Sequence, residues 1–594
     1  MFAEKLITDH IDIWTSAVQA KSASGRGSSK KRELYGIKKL RELILELAVR
    51  GKLVPQDPSD EPASVLLERI AAEKAQLVKE KKIKKPKALS NLSLENLPAL
   101  PDGWAWAHVQ DFTEYVQRGK GPKYADKGSV RVVSQKCVQN SGFDIEPARY
   151  VEDQSLENYQ EERYLKEKDL LWNSTGTGTV GRVNVLPVVE SKSLVADSHV
   201  TVLRPLLMNS RYIWCFLMSP GVQARINPDH EFSLVSGSTK QVELNTSSVV
   251  SLPVSVAPLN EQHRIVAKVD ELMALCDQLE QQTEASLDAH QVLVETLLAT
   301  LTNSQDATEL MANWARISEH FDTLFTTEQS IDQLKQTILQ LAVMGKLVLQ
   351  DPNDEPAAKL LERIAEEKAL LVKEKKIKKE KPQPFISEDG RLFELPNGWV
   401  WSNIGETFLV TGGLQKTPKR TPVLNHYPYL AVANVQRGRL ELDDLKRFEV
   451  TSEELERYRL MPGDLMVVEG NGSENEIGRC AIWSGEVQDC LHQNHLIKCR
   501  PLSLDLSSWV LQTLNSPFGI AVMKSLAVTS SGLYNLSVGK IRSIAFPLPP
   551  LKEQHRIVAK VDGLMALCDQ LKSRLQTSQQ TQLALAEALV EQAL

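Results

Sequence analysis

Leu40–Lys87, LRELILELAVRGKLVPQDPSDEPASVLLERIAAEKAQLVKEKKIKKPK, is written again at Leu334–Lys381 as LKQTILQLAVMGKLVLQDPNDEPAAKLLERIAEEKALLVKEKKIKKEK, with 36 of 48 positions identical. A second stretch, Pro258–Leu279 (PLNEQHRIVAKVDELMALCDQL), returns at Pro550–Leu571 (PLKEQHRIVAKVDGLMALCDQL) with 20 of 22 identical. The offsets, 294 and 292, are close to half of the 594-residue chain. Between these blocks, roughly 100–257 and 395–549 have diverged almost beyond recognition. Self-similarity at a fixed period marks a duplicated structural unit. Here a duplicated frame carries two unlike inserts, the pattern expected of one machine that reads two different things.

The EQHRIV blocks are helices. Ile265, Val269, Leu272, Cys276 and Leu279 are spaced 4, 3, 4, 3, and Ile557, Val561, Leu564, Cys568, Leu571 and Leu575 keep the same rhythm. A 3.5-residue average is the seam of a coiled coil. The first helix is expected to run to about Leu301 and the second to the end of the sequence. Some 40 helical residues span roughly 60 Å at 1.5 Å per residue, and the two helices are expected to pair with each other or with equivalent repeats.

The other repeated block reads helix, break, helix. Gly51 and Gly345 suit helix C-caps, Pro62 and Pro356 suit the first turn of a new helix, and charged helices follow over Ala63–Lys85 and Ala357–Lys379. From about 259 to 381 the EQHRIV helix runs straight into the GKLV–DPNDEP unit, and the chain's two ends hold the same pieces separately. Joining the ends would recreate the central join, so the sequence reads as a ring cut once, with approximate two-fold symmetry.

Each variable insert opens on a matched frame, LPDGWAW (Leu100–Trp106) and LPNGWVW (Leu395–Trp401). Each then carries a strand start at Asp169-Leu170 or Asp464-Leu465, a glycine-rich loop, and Gly-Arg at 181–182 or 478–479. Alternating runs such as Val180–Val185 and His199–Leu203 predict strands. The predicted organisation is an N-terminal helical region (1–99), a first variable module (100–258), a central helical region (259–394), a second module (395–550) and a C-terminal helix (551–594). The fold class is α+β: two mixed α/β modules separated by long antiparallel coiled-coil helices, with an internal pseudo-two-fold, circular repeat.

Hydrophobic content of 42% and charged content of 25% are ordinary for soluble globular domains. No run approaches 18 uncharged apolar residues, so no membrane span is expected. MFAEKLITDHIDIW carries acids and lacks an apolar core, unlike a secretory signal. Seven cysteines without framework spacing fit a reducing cytoplasm. A net charge of −6 is unlike the usual basic DNA-binding protein, but local patches rather than net charge meet phosphates.

At the P-L-x-E-Q-x-R-I-V junctions and the G-K-L-V…D-P-x-D-E-P…L-L-E-R-I blocks, each present twice in the same order, the chain resembles the specificity subunits of type I restriction–modification systems. The resemblance covers essentially the whole chain, with a full GKLV–DPSDEP unit before the first module that shorter members lack. It implies a non-catalytic, cytoplasmic, DNA-reading subunit. Each module would be a target-recognition domain for one half of a split, asymmetric double-stranded DNA site. The long helices would be a ruler between them and a dock for two methyltransferase subunits, and motor-nuclease subunits would complete the enzyme. S-adenosylmethionine, ATP and Mg2+ belong on those partners, with no cofactor and no metal on this chain.

For such a reader, base-edge contacts call for Arg, Lys, Asn and Gln on loops. In the first module these are Lys120, Lys123, Gln135, Lys136, Asn173, Ser174, Arg182 and Lys240. In the second they are Gln415, Lys416, Lys419, Arg420, Asn434, Gln436, Arg437, Asn471, Arg479, Asn535 and Lys540. The KEKKIKK runs at 79–85 and 373–379 read better as solvated helix ends or linkers than as phosphate clamps.

Other patterns are set aside. Gly176–Gly181 matches G-x-G-x-x-G but continues β-branched to Pro187, where a dinucleotide site needs a helix. Cys490, His492, His495 and Cys499 lack a C-x-x-C pair, and strand alternation accounts for the last two. No phosphate-binding G-x-x-x-x-G-K-[ST] and no Asn-Pro-Pro-Tyr-type methyltransferase loop occurs. Catalysis is therefore not expected on this chain.

Overall fold

The computed structural model describes residues 2–20, 32–90, 92, 97–157, 159–176, 178–238, 241–379, 393–470, 477–527 and 534–594. They form two compact units, Met1–Ser286 with Ser578–Leu594, and Leu287–Thr577. Both unit boundaries fall inside long helices. Each unit therefore holds one module, one repeated short-helix block and a stretch of both long helices.

The frame consists of α1 (Tyr35–Val49), α2 (Ala63–Lys79), α3 (Leu259–Asn303), α4 (Glu328–Val343), α5 (Ala357–Lys373) and α6 (Leu551–Ala593). Helices α3 and α6 run unbroken for 45 and 43 residues, as the seam rhythm predicts. Gly51 and Gly345 both sit at φ +68° and end α1 and α4. A Cβ there would also strike Pro101 or Pro396 of the LPxGW frame, so these positions demand glycine twice over.

Helices α2 and α5 stop at Lys79 and Lys373, six residues short of the expected Lys85 and Lys379. Lys81 and Lys375 turn left-handed at φ 58° and 57°. The following amides donate back to Leu77 O (2.9 Å) and Leu371 O (3.0 Å), a closing pattern that satisfies the terminal carbonyls. Ion pairs across the turn, Lys82–Glu80 at 2.7 Å and Lys376–Glu374 at 2.8 Å, hold it. Continuing the helix would instead stack like charges one turn apart.

The seam residues Ile265, Val269, Leu272, Cys276 and Leu279 are buried, as are Ile557, Val561 and Cys568. In the second unit the latter three pack with Ile331, Leu334, Ile338 and Leu341 of α4, which also meets Val294, Leu298 and Leu301 of α3. Polar contacts trace the same clasp: Lys335 pairs with Asp569, Lys572 reaches Asp332 at 3.1 Å, and Gln333 donates to Glu295 at 2.7 Å. In the first unit Arg41 of α1 pairs with Asp277 (2.7 Å) and Glu280 (2.6 Å) of α3, while Tyr35 donates to Glu587 of α6 at 2.6 Å. Within each unit, then, a short helix of the repeated block lies on the seam, a partner the heptad rhythm alone does not name.

The first module contains β1 (Ala105–His108), β2 (Thr113–Arg118), β3 (Tyr124–Ala125), β4 (Arg131–Val133), β5 (Val138–Gln139), β6 (Arg149–Val151), β7 (Leu170–Asn173), β8 (Val183–Val185), β9 (Leu194–Ala196), β10 (Val200–Pro205) and β11 (Pro253–Val256). An antiparallel sheet runs β8-β7-β10-β2, and a smaller mixed one β9-β4-β6-β3. The second module contains β12 (Val400–Asn403), β13 (Phe408–Gly412), β14 (His426–Leu430), β15 (Val435–Gln436), β16 (Lys446–Glu449), β17 (Leu465–Val468), β18 (Cys480–Ile482), β19 (Leu491–His492), β20 (Leu496–Pro501) and β21 (Ala545–Leu548). Its main sheet, β18-β17-β20-β13, repeats the first module's order, and β16-β14-β19 is the second sheet.

In each module the first strand pairs antiparallel with the last: β1 with β11, Ala107 opposite Val254, and β12 with β21, Trp401 opposite Pro547. Each module therefore leaves and rejoins the frame at one place. Among the described residues, no helix is long and apolar enough to cross a membrane.

Candidate nucleic-acid interface

Each module stands on a base built by the repeated motifs. Glu261 accepts from the Trp104 indole at 3.0 Å, and Glu553 from Trp399 at 3.1 Å. Burial pushes both carboxyls up, and the indole bond pulls them partly back. Gln262 and Gln554 donate to Ala257 O and Pro549 O, both at 2.8 Å. Arg264 reaches Asp60, and Arg556 reaches Asp354, both at 2.7 Å. The Glu, Gln and Arg of E-Q-H-R-I-V thus hold the module's tryptophan, the entering chain and the aspartate of the DPxDEP turn. Ile and Val fill the seam.

Above the base, both modules carry one ion pair across the main sheet, with its aspartate buried. Arg204 of β10 grips Asp169 with two 2.7 Å bonds, and Arg500 of β20 grips Asp464 at 2.8 and 2.7 Å. Lys166 N and Met461 N also donate to these aspartates at 2.8 Å. Two parallel bonds fix the strand register as well as the charge. Burial raises the Asp169 pKa, and Arg204 opposes that rise.

The sheet edge beyond these pairs holds a second shared device. Arg182 donates to Gln139 Oε1 at 2.6 Å, and Arg479 donates to Gln436 Oε1 at 2.8 Å. Both glutamines close a Val-Gln strand, β5 or β15, that turns into a two-residue hairpin. Loop composition does not single out Gln139. The signal is nonetheless present in the chain: Gln139–Gln436 and Arg182–Arg479 share one offset of 297, with the dipeptide Val-Gln at both places.

Several candidates prove to be supports rather than free donors. Asn173 is fully buried and ties β7 to Gln135 O and Val138 O at 3.2 and 3.1 Å. Ser174 is fully buried against Thr201 at 2.5 Å. Asn434 is buried, accepting from Ala431 N and donating to Glu441 O, both at 2.8 Å. None of the three reaches solvent, because the polar, glycine-rich stretches that suggest open loops here are braced turns. Gln135 accepts from Thr179 at 3.0 Å, Arg437 donates to Ile477 O at 3.0 Å, and Arg420 grips Glu454 at 2.8 and 3.2 Å.

Lys136, Gln415, Lys416, Lys419 and Asn535 are exposed. Lys540, half-buried, donates to Asn535 O at 3.2 Å. Lys120 and Lys123 are exposed at the start of the first module's smaller sheet. Lys240 and Asn471 lie outside the described residues.

Two buried basic groups distinguish the second module. His492 is fully buried with Nδ1 facing Tyr458 O at 3.2 Å, and burial drives its pKa down to about 3. Lys498 of β20 is pushed down to about 8, first by burial and then by Arg500. Its ammonium donates to Arg457 O and Arg459 O, both at 3.3 Å.

Comparison with known proteins gives consistent matches. Residues 101–289 match the family described as type I restriction modification DNA specificity domain. The chain is 42% identical to the type I restriction enzyme EcoEI specificity subunit of Escherichia coli, across all of both sequences. It is 42% identical, over the same full coverage, to the type I restriction enzyme EcoAI specificity subunit of Escherichia coli. A solved chain, reported under complex assembly and conformational transition of the type I R-M system, aligns over 84% of this chain and 98% of its own. Its TM-score is 0.47 at 15% identity.

Proposed function

This chain belongs to the specificity subunits of type I restriction enzymes, and from that premise we propose that its two modules each read one half of a split, asymmetric DNA site. The observation that carries this reading is the pairing of sameness and difference. Both modules have one strand order, one Asp–Arg pair and one Arg–Gln clamp. Their solvent-facing loop residues are unrelated, with Lys136 on one and Gln415, Lys416, Lys419 and Asn535 on the other. Equivalent scaffolds with different exposed donors suit two different half-sites, where bidentate contacts discriminate by roughly 1–3 kcal/mol each.

The long helices act as spacer, paired as an antiparallel coiled coil under a pseudo-two-fold arrangement. At 1.5 Å per residue each spans roughly 65 Å, ample for half-sites about one 34 Å turn apart. Two methyltransferase subunits dock on the frame and methylate adenine with S-adenosylmethionine. Motor-nuclease subunits use ATP and Mg2+ for cleavage. This chain supplies recognition and no catalysis.

The test is a genome-wide map of methylated adenines in cells carrying this gene with its methyltransferase partner, against cells lacking this gene alone. A split motif that depends on this chain is the expected result. With partner expression verified, absence of new methylation would overturn the reading. Replacing residues 100–257 with the module of another family member should change one half of the motif only.

A further inference from the structure

Two cation–π pairs lie side by side on the smaller sheet of the first module, and no device described above uses them. The Arg149 guanidinium of β6 sits 4.1 Å from the centre of the Tyr124 ring on β3. The Lys120 ammonium sits 5.5 Å from the Tyr159 ring, whose hydroxyl donates to Lys120 O at 2.7 Å. The two pairs are neighbours: the Tyr159 hydroxyl, its pKa raised by burial, also feels Arg163 and then Tyr124. Val132, Val151 and Val195 form an apolar floor beneath Tyr159. Lys123, next to Tyr124 in the chain, has a side chain 82% exposed, and Glu152 at 3.9 Å is its only carboxylate partner among the described residues.

Lys120, Tyr124 and Arg149 are likewise exposed. Among the described residues no carboxylate forms an ion pair with Arg149 or Lys120. An aromatic face orients a cation without neutralising it, leaving both the charge and the outward N–H donors available. Such a surface suits an anion, and its spread over two strands and a loop suits a row of anions. On a duplex the phosphate oxygens are such a row, and they and the sugars take roughly half to two-thirds of protein–DNA hydrogen bonds.

The second module keeps part of this surface, since Tyr458 stands at the place of Tyr159 with the exposed Arg457 5.2 Å from its ring, and it differs at the place of Lys120. Gly119-Lys120 and Gly413-Leu414 occupy the same turn, with Lys120 N donating to Ala196 O and Leu414 N to His492 O. Leu414 is buried. Of the cations in that connection, Arg420 is neutralised by Glu454 at 2.8 Å, while Lys416 and Lys419 are exposed.

We propose that Lys120, Lys123, Tyr124, Arg149 and Tyr159 form a sequence-independent grip of the first module on the DNA phosphate backbone. This rests on the DNA-reading function proposed above and adds to it a holding contact that carries no sequence information. The full chain, assembled with its methyltransferase partners, is titrated onto a duplex bearing its motif over a series of KCl concentrations. Wild type is compared with the triple variant Lys120→Gln, Lys123→Gln, Arg149→Gln. These side chains are exposed, so the melting temperature should hold and report intact folding.

The slope of log K against log salt is expected to fall by about 2–3, at roughly 0.9 for each phosphate no longer neutralised. Affinity near 0.15 M salt should fall at least tenfold, with the methylated motif in cells unchanged. Arg149→Lys, which keeps the charge, should retain most of the slope. An unchanged slope overturns the grip and leaves the DNA-reading function standing. A changed motif overturns it too, because the patch would then read bases. Loss of partner assembly with the slope intact overturns it in favour of a protein dock. Motif-independent binding by the wild type would bring down the DNA-reading function itself.

Discussion

The two halves of the molecule are near copies in their frame, yet at one pair of positions between short and long helix the charges are exchanged. In the first unit the basic Arg41 faces Asp277 and Glu280. In the second, Lys335 and Asp569 stand at the places of Arg41 and Asp277, but Lys572 replaces Glu280 and Asp332 replaces Lys38. Lys572 then bonds Asp332 at 3.1 Å and lies 3.7 Å from Glu328. Seating α4 on the first part of α3 would bring Asp332 beside Glu280, and seating α1 on α6 would bring Lys38 beside Lys572. A duplicated frame risks pairing each piece with the wrong copy. Inverting one charge pair opposes that at a few positions while the apolar seam stays almost identical.

The largest test of the comparison lies in the Asp–Arg pairs. Asp169 and Arg204 are 0% and 8% exposed, whereas Arg500 is 33% exposed beside Asp464 at 1%. Asp169→Asn leaves a buried guanidinium without its counter-charge and should cost about 3–5 kcal/mol. Asp464→Asn should cost about half as much, because water reaches Arg500. Urea unfolding of the two variants checks the order, and equal losses would show that the pairs are equivalent.

Lys498 has no equivalent in the first module, where β10 carries Val202 at that register. Its pKa, near 8 in the folded chain against 10.5 unfolded, means that the folded state binds its proton less tightly. The penalty is fully present below about pH 8, diminishes as pH rises from 8 to 10.5, and is gone above. Lys498→Met should therefore stabilise the second unit by about 3 kcal/mol at pH 7. It should also flatten the rise of stability between pH 8 and 10.5. A melting temperature unchanged at pH 7 would show that the lysine carries no such penalty.

The shared clamps give a third test. Gln139→Ala releases Arg182 from its 2.6 Å acceptor and should alter discrimination by about 1–2 kcal/mol at the half-site of the first module alone. Gln436→Ala should do the same for the other half. Methylation maps that relax on both sides of the motif from either variant would break the independence of the modules.

The smallest expected effect is at the inverted charge pair. Lys572→Glu should destabilise the second unit by about 0.5–1 kcal/mol, less at high salt, since the groups are partly exposed. Adding Asp332→Lys should recover most of the loss in a double-mutant cycle. No recovery would mean that the pair does not key the helices.

Much of the fold is legible in the chain because repetition and periodicity are properties of order alone. The heptad rhythm locates α3 and α6, the left-handed glycines end α1 and α4 where expected, and Asp-Leu marks the start of β7 and β17. The lysine runs mislead by six residues, since a left-handed lysine closing a helix has no compositional signature. Candidate DNA contacts are the least legible part. Asn173, Ser174 and Asn434 have the right chemistry in the right stretches, but only burial separates a brace from a contact.

The sequence by itself determined the duplication, the α+β plan, the two long helices and the family, because each is a pattern of residue types at set spacings. Only the tertiary structure decided which helix covers each seam, that Gln139 holds Arg182, and that Arg149 stacks over Tyr124 while Arg420 is neutralised by Glu454. Those outcomes depend on pairs far apart in the chain. A charged side chain's role follows from the partner that reaches it, and spacing along the backbone carries no record of that.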